Sequence, residues 1–142
     1  MEENKKMCIG LFSGSIDKLT AAGIVMGGAV ADDMDVDVYV LLQAARAFRK
    51  DVADDYSKLE LAENPTYKDQ FVKSMEGLNI KTWLQVFREL KAAGNIKFHI
   101  CGTAGKVWDA YKMEDFVDIA DEICGIGGYI TDSQNADVHL FI

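Results

Sequence analysis

A chain of 142 residues, 49% hydrophobic and 27% charged, is long enough to bury one core without disulfide or metal staples, and a single domain over residues 1–142 is expected. The formal charge of −8 leaves no broad basic surface for a phosphate backbone and opposes an anionic membrane, so neither nucleic acid nor membrane is an expected partner. Three cysteines, an odd count without CxxC spacing, argue against a secreted disulfide scaffold and a cysteine-rich zinc site, and point to reduced thiols in a cytoplasm.

The opening MEENKK and the short apolar run that follows it build no secretory core, and no apolar run reaches transmembrane length. Lys6 to Phe12 reads as a strand that stops at Ser13-Gly14-Ser15, and Ile16 to Val30 as a helix. Val36 to Leu42, rich in β-branched residues after an acidic turn, is a second strand, and Gln43 to Lys50 is expected to be helical. The stretch 51–79 is charged, weakly periodic and holds the lone proline, Pro65, so it reads as an insertion forming a mobile cover or an oligomer contact. Trp83, Leu84, Val86, Phe87 and Leu90 recur at helical spacing within Lys81 to Ala93, and Gly94-Asn95 looks like a left-handed cap. Ile96 to Cys101 is a strand, Thr103 to Tyr111 and Met113 to Ala120 short helices, Ile123-Cys124 a minimal strand, Tyr129 to Asn135 a helix and Asp137 to Ile142 a closing strand. Strands alternating with helices imply an α/β fold, a three-layer Rossmann or flavodoxin-like domain with a mainly parallel five-stranded sheet.

Ligands of open parallel sheets gather beyond the carboxyl ends of the strands. That rule selects Cys101, where the amides and dipole of the following helix favour thiolate over thiol, and Gly102, which admits close approach to the backbone. Cys124 also ends a strand and becomes a possible second, resolving thiol if its strand neighbours that of Cys101. Cys8, inside the first strand, reads as a packing residue. Ser13, Gly14 and Ser15, with Gly102 and Thr103, form a candidate anion site, though not a phosphate loop of the Walker type. His99 shares the face of Cys101 and, like His139, reads as a half-buried partnered histidine. Neither has a second ligand at recognisable spacing, and the acidic turn Asp32 to Asp37 lacks a calcium loop's glycine and distal glutamate, so no metal is expected. Gly125 to Gly128 reads as a tight turn rather than a dinucleotide fingerprint, and no cofactor is expected.

The segment Trp83-Leu-Gln-Val-Phe-Arg-Glu-Leu-Lys-Ala-Ala-Gly94, the strand Ile96 to Cys101, Lys112-Met-Glu-Asp-Phe116, Gly127-Gly128 and the ending Ala136-Asp-Val-His-Leu-Phe-Ile142 together resemble the DsrE2-type branch of the DsrE/DsrF-like family. The resemblance implies a homo-oligomer, often a trimer or hexamer, that carries sulfur on a cysteine as persulfide or thiosulfonate, and Cys101 stands at that cysteine's position. The family's Cys-x-Met-Ser is here Cys101-Gly102-Thr103-Ala104, and its Met-rich insertion is here charged. The implied function is a sulfur carrier or sulfurtransferase exchanging sulfane sulfur with a donor or acceptor protein. The alternative is a non-catalytic oligomeric module that binds a small anion, nucleotide or flavin at the strand ends.

Overall fold

The computed structural model describes residues 3–142. Met1 and Glu2, the start of the MEENKK segment, lie outside them. In chain order the elements are β1 (Lys6–Leu11), α1 (Ile16–Ala31), β2 (Asp35–Val40), α2 (Leu42–Ala47), α3 (Lys68–Gly77), α4 (Trp83–Ala93), β3 (Ile96–Cys101), α5 (Gly102–Val107), β4 (Ala120–Cys124), α6 (Gly127–Asn135) and β5 (Val138–Phe141). The five strands form one all-parallel sheet in the order β4-β3-β2-β1-β5.

Strand alternation divides the sheet into two unlike faces. Met7, Ile9 and Leu11 of β1, Val36, Val38 and Val40 of β2, and Ile96, Phe98 and Ile100 of β3 are all buried in one large cluster. That face is covered by α1 and α4, which pack on each other closely enough that a Cβ on Gly23 would stand 3.1 Å from Val86. The intervening residues, among them Cys8, Asp37, Tyr39 and His99, face the other way. There α6 lies over the middle of the sheet, and Tyr129 packs with Cys8 and Tyr39 in a second, small cluster. Helix layers on both sides give the three-layer, flavodoxin-like α/β fold read from the sequence.

Helix α4 is set by its own sequence. Thr82 and Gln85 form a reciprocal capping box at its start, and Trp83 and Phe87 join Phe48 and Phe98 in an aromatic cluster under the sheet. Its end differs from expectation. Gly94 is extended, with φ −134°, and no glycine among the described residues takes a positive φ. Glycine is needed there because a Cβ would stand 2.9 Å from Val30 of α1. The left-handed positions that follow α1, α3 and α5 are instead Asp33, Asn79 and Asp109, residue types that tolerate that region.

Two further expectations are corrected. Met113 to Ala120 is not a helix: only Met113–Asp115 turns, in a single 3-10 turn held where the Asp115 carboxylate accepts from the Tyr111 and Lys112 amides. Phe116 and Val117 are then buried in an extended run, and the Val117 amide donates to the Phe48 carbonyl, so β4 begins at Ala120 rather than Ile123. The stretch 51–79 is not a loose cover. Val52, Ala53, Leu59, Leu61 and Met75 are buried in the main core while the intervening charges face water. The indole of Trp83 donates to the Ala53 carbonyl at 2.8 Å, and the Trp83 amide donates to the Tyr56 hydroxyl at 2.9 Å.

Asp17 ties this stretch to the start of α1. Its carboxylate accepts from the Ala62 amide at 2.9 Å and the Glu63 amide at 3.1 Å, and the neighbouring Ile16 amide donates to the Glu60 carbonyl. Burial opposes the charge, but these amides outweigh it and hold the carboxyl below its usual range. A depressed folded pKa stabilises fully above the unfolded value near 3.8 and is lost as pH falls through the folded one. Asp17→Asn is therefore expected to lower the urea midpoint at neutral pH, and the gap to wild type should narrow as pH falls below the unfolded value near 3.8. A gap that stays constant as the carboxyl takes up its proton would remove the carboxylate from the account.

Candidate functional site

Cys101 is the last residue of β3 and the residue from which α5 starts; Cys124 is the last residue of β4. The register pairs them directly, and both are half-buried free thiols. Neighbouring strands lie about 4.8 Å apart, inside the Cα separation of about 4.4–6.8 Å that a disulfide spans. Burial first, then the Glu122 charge and Cys101 itself, push the Cys124 thiol up. The strand-neighbour condition set for Cys124 by the sequence is thus met. Cys8 is 1% exposed under α6, 3.7 Å from the Ser133 hydroxyl, and its thiol is pushed up by burial, which fits a packing residue. Beside Cys101, Thr103 is exposed, and a Cβ on Gly102 would make only ordinary contacts, so close packing does not explain glycine there.

A cleft of about 290 Å³ lies at the carboxyl end of β1, lined by Ser13, Gly14, Ser15, Gln43, Arg46 and Glu60 among others. It adjoins the place where strand order reverses, since β1 is flanked by β2 on one side and by β5 on the other. Its lining includes none of Cys101, Gly102 and Thr103. The anion set grouped in the sequence therefore divides in space, because β2 stands between β1 and β3. Ser15 Oγ is buried beside Asp17 without a well-formed hydrogen bond, and the Arg46 guanidinium donates to the Lys58 carbonyl at 2.9 Å. Gly14 has a steric reason: a Cβ would fall 2.2 Å from the Gln43 carbonyl oxygen. Gly14→Ala must push the α2 start away, and is expected to cost about 1–3 kcal/mol of stability in a denaturant titration. An unchanged midpoint would show that this turn yields freely.

The α6 side of the sheet carries the network in which the histidine read from the sequence as partnered finds its partners. His99, 9% exposed, places Nε2 2.7 Å from Asp37 Oδ1 on β2 and Nδ1 2.8 Å from Glu122 Oε1 on β4. The hydrogen bond to Asp37 raises its pKa against the effect of burial, with Glu122 adding to it. Its ring stacks on Tyr39 at 4.5 Å between centroids, and the Tyr39 hydroxyl donates to Asp132 Oδ2 of α6 at 2.6 Å. Burial, and then that donation to a carboxylate, push the Tyr39 phenol up. His139 pairs through Nε2 with the Tyr129 hydroxyl at 2.5 Å. Trp108 bridges the end of α5 to the start of α2 by donating to the Leu42 carbonyl at 2.7 Å, while Tyr111 stays exposed. The sequence signal was the repeated polar-x-polar spacing of Asp37-x-Tyr39, His99-x-Cys101 and Glu122-x-Cys124. What it lacked was strand order.

Fold and site together define an open parallel α/β protein with two cysteines paired in register at adjacent strand ends and a charged, histidine-centred sheet face. No protein-family model and no curated protein matches the sequence. Among solved structures the chain is similar to MTH1491 of Methanobacterium thermoautotrophicum, a protein of unknown function, with a TM-score of 0.59 and 8% identity over 98% of this chain and 100% of that one. At that identity the likeness establishes the fold. Among the described residues, no helix is long and apolar enough to cross a membrane.

Proposed function

We propose that the protein is a sulfur carrier or sulfurtransferase of the DsrE-like kind, holding sulfane sulfur on Cys101 and handing it to a thiol. The observation that carries this reading is the direct register pairing of Cys101 with Cys124 at the carboxyl edge of the sheet. With thiosulfate as donor, the Cys101 thiolate attacks the outer sulfur, a sulfur–sulfur bond forms on Cys101, and sulfite leaves with the electron pair of the broken bond. Cys124, as thiolate, then attacks the Cys101 sulfur of the persulfide. The products are a Cys101–Cys124 disulfide and hydrosulfide, unless a partner protein's thiolate takes the outer sulfur first.

A second reading rests on the cleft at β1, where Arg46 and the two serines suit a small anion with no thiol chemistry. Incubation of the reduced protein with thiosulfate or polysulfide separates the two. Under the carrier reading, the intact mass of the Cys124→Ser variant rises by whole sulfur atoms, the gain maps to the Cys101 peptide, and dithiothreitol removes it, while wild type ends as the Cys101–Cys124 disulfide. No sulfur gain in the variant and no disulfide in wild type favour the anion module.

A further inference from the structure

The three side chains that meet at the β3–β4 step are a histidine, a carboxylate and a thiol. A ring nitrogen of His99, a carboxylate oxygen of Glu122 and Cys124 Sγ all lie within 4.8 Å of one another, and His99 Nδ1 stands 2.8 Å from Glu122 Oε1. Zinc with nitrogen, oxygen and sulfur ligands at about 2.0–2.3 Å in tetrahedral array sets neighbouring donors about 3.3–3.8 Å apart, so side-chain movements of about 1 Å close the set. From these ligands we infer that the chain holds one zinc-class divalent ion between β3 and β4, with the fourth position open to solvent.

Three independent features support the assignment. First, the ligands come from adjacent strands in the regular register that follows the shift between Phe98 and His99, His99 opposite Glu122 with Cys124 two residues along the same strand, so the sheet rather than a loop sets their spacing. Second, the remaining ring nitrogen is already oriented: Nε2 stands 2.7 Å from Asp37 Oδ1, the carboxylate–histidine arrangement that fixes the tautomer of metal-ligating imidazoles and raises their basicity. Third, His99 is nearly buried whereas the Glu122 side chain is 54% exposed, which anchors the site on one side and leaves a path for the ion on the other. The opposite side of the ring also gathers donors, Asp37 and Asp132. The sulfur on that side, Cys8 Sγ, is buried under α6 outside the donor group, and Asp132 is engaged by the Tyr39 hydroxyl, so the ion belongs on the Nδ1 side. Binding replaces the proton shared between Nδ1 and Glu122 and releases the thiol proton of Cys124.

Cobalt(II) added to the reduced full chain tests this, because a thiolate-to-cobalt charge-transfer band reports sulfur ligation directly. The expected result is a band that saturates at one equivalent, is bleached by zinc, is absent in Cys124→Ser and persists in Cys8→Ser and Cys101→Ser. Asp37→Asn should weaken zinc about 10–100-fold in a competition titration while keeping the band. Since a site variant can lose its fold, alkylation of the wild-type thiols supplies a second measurement: zinc should slow labelling of Cys124 at least tenfold and leave Cys101 within about twofold. No band, a band that survives Cys124→Ser, or equal protection of all three thiols would overturn the site. Because the test keeps its signal in Cys101→Ser, it stands or fails separately from sulfur loading.

Discussion

Replacing residues 51–79 with a short Gly/Ser linker is expected to abolish cooperative folding. The replacement removes Val52, Ala53, Leu59, Leu61 and Met75 from the main core and strips the partners of the Trp83 indole and amide. A single buried Leu→Ala change costs about 2–5 kcal/mol, and a domain of this size has about 5–15 kcal/mol in total, so losing the set exceeds what the fold can absorb. Circular dichroism should show no sharp melt, and light scattering should show aggregation. Two point variants grade the effect: Leu59→Ala should lose about 2–5 kcal/mol, and the exposed Lys73→Ala should stay within about 0.5 kcal/mol of wild type. A linker variant that melts sharply within a few degrees of wild type would return this segment to the role of a detachable cover.

Cys101→Ser is expected to eliminate sulfur loading, the largest effect among the site variants. A hydroxyl at that position is protonated at neutral pH and forms no stable persulfide, so the loss should be complete rather than graded. Cys124→Ser should behave differently. Loading on Cys101 should continue, while the disulfide product disappears and the persulfide persists for lack of the thiol paired with it in register. Cys8→Ser should match wild type, since that sulfur is sealed beneath α6. Mass spectrometry of the loaded and alkylated proteins reads all three outcomes. Gain of sulfur on Cys8, or gain that survives Cys101→Ser, would end the carrier reading.

What the sequence disclosed follows the range over which each signal acts. Period-two and helical spacing are local, and they located β1, α1, β2, α4 and β3 to within one or two residues. Met113 to Ala120 misled because Phe116 and Val117 bury themselves by spanning toward Phe48, a tertiary contact that imitates a helical stripe in so short a segment. In 51–79 the density of charge concealed five core residues whose spacing follows neither period. Gly94 was read as a conformational device although its cause is the side chain of Val30, sixty-four residues earlier. The site shows the same divide. Cys101 and Cys124 were visible as strand ends, but the meeting of His99 with Asp37 and Glu122, and the parting of Ser13 from Cys101, depend on the order β4-β3-β2-β1-β5, which single-chain spacing does not encode.

Because odd and even residues of the same strands are assigned to opposite faces, β3 cannot tolerate the insertion or deletion of one residue. Such a change would turn Phe98 and Ile100 outward and drive His99 beneath α4, exchanging core for chemistry in one step. Point substitutions meet no such barrier. A new side chain at position 99, 122 or 124 alters the polar face while the interlocked apolar face keeps its packing, so this strand pair offers ground on which reactivity can diverge while the reading frame of the pleat stays fixed.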